Sequence, residues 1–148
     1  MSADVEASTT ALFVVADEPL LVYQSIRDAE LDLEMIDVEN GTYPAAYGLA
    51  GEPYQVGTDG TNVVITRVDG PNKPEELKPL LARYLKECGE PVEPDEDVKA
   101  LAQRALLYDR EFWTEHDPFG ERFGKRLPFW GCMAAVGALA VLAYLLLR

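Results

Sequence analysis

With one histidine and two cysteines among its 148 residues, the chain lacks the raw material of most active sites. Ser–His or Cys–His catalysis would have to recruit His116. That residue stands in Trp113-Thr114-Glu115-His116-Asp117, where neighbouring side chains point in different directions and no second ligand cluster exists. The segment therefore predicts no metal site, and His116 reads as a surface residue at a helix end. Cys132 lies inside a long apolar run and Cys88 on the apolar stripe of a helix, so the pair forms no disulfide framework, which fits a reducing compartment. Cys88 reads as a core residue, while Cys132 near the inner interface admits palmitoylation. Gly48, Gly51, Gly57 and Gly60 lack the Lys-Ser or Lys-Thr and the opening helix of a phosphate loop, and read as hairpin turns. The sequence predicts no enzyme: no catalytic residue, no cofactor and no metal ligand.

Cations are scarce as well. Lysine and arginine number 13 against 26 aspartates and glutamates, for a net charge of −13 that becomes −14 once Arg148 is set aside. Such a density repels nucleic acid and anionic lipid and attracts a basic protein partner. It also serves solubility, the plainer of its two uses. Asp28, Glu30, Asp32, Glu34, Asp37 and Glu39 crowd one short stretch. Carboxylate pairs can do acid–base work, but here they alternate with apolar residues along an amphipathic pattern and read as a solvated acidic face.

Charge vanishes altogether from Leu127 to Leu147, 21 consecutive residues (LPFWGCMAAVGALAVLAYLLL). As a helix such a run reaches roughly 30 Å, the thickness of a bilayer's hydrocarbon core. The alternative, a buried core helix, seldom runs so long without a charge. Arg122, Lys125 and Arg126 precede the run and only Arg148 follows, so the positive-inside rule places the amino-terminal side in the cytosol. MSADVEASTT is too polar for a signal peptide and Ala11–Ala16 too short. The expectation is a tail-anchored, single-pass protein. The same three cations, with Phe119, Phe123 and Leu127 on one face, suit lipid headgroups. Gly131, Ala135 and Ala138 fall on one helical face, and predict weak homodimerisation through close backbone approach.

The remaining 126 residues suffice for one domain. Residues 1–10 read as disordered, 11–117 as an acidic α+β domain, 118–126 as a basic juxtamembrane segment and 127–147 as the membrane helix. Ala11–Ala16 and Leu20–Gln24 are two strands or one broken strand around Asp17-Glu18-Pro19. Ser25 caps a helix with Ile26, Ala29, Leu33 and Ile36 on its apolar face, although alternation over Leu31–Glu34 leaves its end open. Strands follow at Thr42–Tyr47, Pro53–Val56 and Asn62–Val68, separated by glycine turns. Asn72 and Glu75 resemble a capping box before a helix striped by Leu77, Leu80, Leu81, Tyr84, Leu85 and Cys88. Pro79 would kink that helix or split it at Lys78. After the acidic linker Gly89–Asp97, Val98, Leu101, Ala105, Tyr108 and Phe112 stripe a last helix. The order is β-α-β-β-β-α-α followed by the anchor.

The stretch Val22-Tyr23-Gln24-Ser25 through Ala29-Glu30, Asp32-Leu33-Glu34, Ile36-Asp37-Val38-Glu39, Gly41 and Tyr43, then Ala46-Tyr47 and Gly51, resembles short bacterial proteins of unknown role. Their pattern is a strand, an acidic helix, the phrase IDVENG and a tyrosine hairpin. Some small acidic proteins of that kind are immunity partners that neutralise toxins. The resemblance covers about residues 20–70. It implies a bacterial protein, hence an inner-membrane location, and carries over no functional residues.

Two functions fit these features. One is an acidic domain, held at the membrane, that docks a basic protein through Asp28, Glu30, Asp32 and Glu34 and through exposed Tyr43, Tyr47 and Tyr54. The other is a structural or regulatory subunit of a membrane complex, recruited through Gly131, Ala135 and Ala138.

Overall fold

A run of apolar residues with no alternation needs a strand covered on both faces. Leu12, Phe13 and Val14 are all fully buried, and β1 (Leu12–Val15) occupies the second place in a five-stranded antiparallel sheet. The computed structural model of the chain describes residues 10–17, 20–118, 120 and 122. Within it β1 pairs on one side with β2 (Leu21–Tyr23) and on the other with β3 (Ala45–Tyr47), Phe13 standing opposite both Val22 and Tyr47. β4 (Pro53–Thr58) and β5 (Val63–Arg67) extend the sheet in the order β2-β1-β3-β4-β5. Ala11–Gln24 is thus two paired strands, not one, and the single opening strand of the expected order is corrected. The two are antiparallel, so the chain reverses between Val15 and Leu21 and cannot run through as one strand.

The first helix also divides. Ser25 Oγ accepts the Asp28 N–H at 3.0 Å, as expected of a cap, and α1 runs from Ile26 to Asp32. Leu33 and Glu34 are then extended before α2 (Met35–Glu39). The two extended residues keep Leu33 in the core but turn Ile36 outward, to 62 % exposure. α1 follows from β2 and reaches β5, whereas α2 packs on β4; no straight helix serves both.

Two longer helices cover the other face. α3 (Pro74–Glu87) and α4 (Val98–His116) pack together, and Leu77, Leu81, Leu85, Leu101, Ala102 and Ala105 join Phe13, Val22 and Tyr47 in the main core. The anticipated capping box does not form. Lys73 is the N-cap, without a side-chain bond, and Pro74 takes the first position, where its missing N–H costs nothing. Pro79 neither ends nor splits α3. It is exposed, so water reaches the carbonyl that loses its partner. Gly89 (φ +80°) closes α3, with Glu90 N–H donating to the Leu85 carbonyl and Gly89 N–H to that of Lys86, a Schellman ending. The acidic linker beyond is gathered by Arg104, whose guanidinium donates to both Glu96 carboxylate oxygens at 2.9 Å and to the Pro91 carbonyl at 2.7 Å.

One glycine ties the two halves of the fold. Gly51 has φ +83°, its carbonyl accepts the Lys73 N–H at 2.7 Å, and a Cβ there would lie 2.7 Å from the Lys73 carbonyl carbon. Gly51→Ala therefore combines left-handed strain with displacement of main chain, and is expected to cost about 2–4 kcal/mol. A thermal melt of the full chain checks this: an unchanged midpoint would show that the turn and the start of α3 move freely apart.

The compact unit ends at His116, and a second begins at Asp117. In the second, the Asp117 carboxylate accepts the Arg122 N–H at 2.9 Å and its carbonyl that of Gly120 at 3.1 Å. The apolar run Leu127–Leu147 lies outside the described residues, as do Lys125, Arg126, Gly131, Ala135 and Ala138. Among the described residues no helix is long and apolar enough to cross a membrane.

Candidate partner-binding surfaces

The anticipated contact residues do not form one patch. α1 carries two acids that the fold itself uses. Glu30 Oε1 accepts the Ile65 N–H at 3.1 Å, and its other oxygen lies 3.7 Å from Arg27. β5 is an edge strand, and this carboxylate satisfies a backbone donor that would otherwise invite another strand. Asp32 accepts the Tyr23 hydroxyl at 2.7 Å, so the tyrosine, almost wholly buried, has a partner for its one polar atom. Reading Glu30 and Asp32 as outward-facing acids misses that each reaches back to the sheet.

Asp28 and Glu34 stay on the outer side of the helical layer, half-buried and exposed respectively. Asp37 accepts the Tyr43 hydroxyl at 3.4 Å, so Tyr43 belongs to this acidic layer, and burial followed by the Asp37 charge raises its pKa. Glu39 is exposed at the end of α2. Leu31 and Ile36 flank the break between the helices at 48 % and 62 % exposure. Sequence reading missed both, because Ile36 falls on the apolar stripe if the helix continues. The alternation over Leu31–Glu34 was the only signal of the break.

Tyr47 and Tyr54 belong elsewhere. The register puts Tyr47 on the face that α3 and α4 cover, and it is 6 % exposed, which corrects its reading as a surface tyrosine. It contributes, with Tyr54, Pro44, Pro53, Val68, Pro71 and Lys73, to a groove of about 240 Å³ beside the start of α3. The Tyr47 hydroxyl donates to Glu76, which also lies 3.2 Å from Lys73 Nζ. Burial first, then the hydrogen bond and charge of Glu76, push the Tyr47 phenol up to about 12 from an ordinary 10. A folded pKa above the unfolded one means that this stability is intact below pH 10 and is lost as pH rises from 10 through about 12. At most it amounts to about 3 kcal/mol. Urea unfolding between pH 9 and 12 should show Tyr47→Phe losing less stability over that interval than the native chain; parallel losses would assign the effect to other groups.

Cys88 lies between Tyr84 and Tyr108, and burial raises its thiol pKa, which keeps it protonated. His116 is exposed, its ring stacked on Phe112 at 4.1 Å. Arg122 is half-buried. Among the described residues no group of three or more His, Cys, Asp or Glu side chains is placed to hold a metal ion. No protein-family model, curated protein or solved structure matches this chain.

Proposed function

We propose that the chain is a single-pass membrane protein whose small α+β domain stands on the cytosolic side, at a bacterial inner membrane, and docks a basic protein partner. The sharpest form of this reading is a toxin-neutralising immunity protein. The observation that carries it is the exposure of Leu31 and Ile36 within the acidic layer made by Asp28, Glu34, Asp37 and Glu39. Solubility needs the charges alone. Two large aliphatic side chains among them give a partner apolar area to bury, worth roughly 1.5–3 kcal/mol for each side chain fully covered. The carboxylates around them select a basic partner and speed its approach. Tethering through Leu127–Leu147 would raise the effective concentration of the domain towards anything acting at that membrane.

The test uses the full chain in lipid nanodiscs and an amphipathic peptide of lysines and leucines. Binding should weaken steeply with salt and exceed that of a glutamate–leucine counterpart. Equal binding of the two peptides would remove the basis for a charge-selected partner.

A further inference from the structure

We propose that the end of α4 is a membrane contact: the aromatic face of Phe112 and Trp113 rests among lipid headgroups. This rests on the anchored reading above. The buried stripe of α4 passes through Leu101, Ala105 and Asp109 and continues by helical steps to Phe112, Trp113 and His116. Over the last turns the stripe outlives its covering. Phe112 is 40 % exposed although apolar, its ring stacked on His116 and edge-on to Trp113 at 5.2 Å. Trp113 Nε1 donates to the Asp109 carboxylate at 3.0 Å, and Asp109 also accepts from Gln24 of the strand edge at 3.2 Å. The indole is therefore held in one place with its polar edge already satisfied.

What covers this face follows from where the chain leads. The uncharged run begins at Leu127, eleven residues after His116, and within that interval Asp117 accepts the N–H groups of Gly120 and Arg122. Three cations, Arg122, Lys125 and Arg126, lie between the two. Aromatic rings favour the headgroup level, where an apolar body and a polar rim are both accommodated. At roughly 100° per residue, Glu111 and Glu115 stand more than about 90° from the centre of the stripe, and Asp109, which does share its face, is buried and bonded to Trp113 and Gln24.

The chain has two tryptophans, Trp113 and Trp130, which allows each to report alone. The full chain is reconstituted into phosphatidylcholine–phosphatidylglycerol vesicles containing lipids brominated at shallow or deep acyl positions. In W113F, Trp130 reports the anchor; in W130F, Trp113 reports the end of α4. Expected is quenching of Trp130 by brominated lipid and of Trp113 by shallow more than deep bromine. Quenching of Trp130 with none of Trp113 overturns the lipid contact and leaves the anchor standing. Absence of quenching at both overturns the anchor and this inference with it.

Discussion

Replacing Asp28, Glu34 and Glu39 together with lysine should slow association with a basic partner by roughly tenfold or more at low salt, while costing no more than about 1–2 kcal/mol of stability. Glu34 and Glu39 are exposed and Asp28 is half-buried, and of the three Asp28 carries the clearest structural role, as the acid in the first turn of α1, where a lysine opposes the helix dipole. At about 1 M salt, where the Debye length falls to about 3 Å, most of the difference should disappear. Ile36→Ser is expected to act on the other rate: losing apolar contact at a site 62 % exposed in the unbound domain hastens dissociation and leaves approach alone. Glu30→Lys supplies the contrast. It removes the acceptor of the Ile65 N–H at the sheet edge and should cost about 1.5–3 kcal/mol of stability. A reversal that included Glu30 and Asp32 would mix a folding defect with a binding defect, since both acids bond back to the sheet. Binding kinetics on the immobilised chain decide the matter. If the Asp28/Glu34/Glu39 variant associates as fast as the native chain at low salt, the acidic layer serves solubility only.

Leu81→Ala should destabilise the domain by about 2–5 kcal/mol, the largest effect of any single truncation considered. Leu81 is fully buried at the centre of α3's inward stripe, within the cluster that also holds Leu77, Leu85, Phe13 and Leu101. Removing its branched end forfeits transfer energy and leaves a cavity, because sheet and α4 hold the walls apart. For a domain whose total stability is on the order of 5–15 kcal/mol, the melting temperature should fall by roughly 10–25 °C. Leu107→Ala, on the same helical pair but 52 % exposed, should change stability by less than about 0.5 kcal/mol. Urea unfolding of the two variants measures both. Similar midpoints would mean that α3 is not packed on the sheet as described.

Periodicity alone located α3 and α4, since an apolar stripe at 3.6-residue spacing needs one covering surface and says so locally. It also located the strands and the Ser25 cap, although Gly57, expected in a turn, stands inside β4 opposite Val64. Composition alone fixed the acidic balance and the uncharged run Leu127–Leu147. Tertiary structure decided the rest. Whether Leu33 continues a helix depends on α1 having to reach β5 while α2 packs on β4, a demand no window of sequence contains. The roles of the acids separate for the same reason. Glu30 and Glu34 are the same residue type four positions apart, yet one bonds to Ile65, 35 residues away, and the other lies exposed in the break between the helices. Tyr47 became a core residue because β3 pairs next to β1, which turns its ring under α3. A local pattern can state that a side chain is apolar, charged or aromatic; which of those properties is used inside the fold is set by contacts between segments distant in the chain.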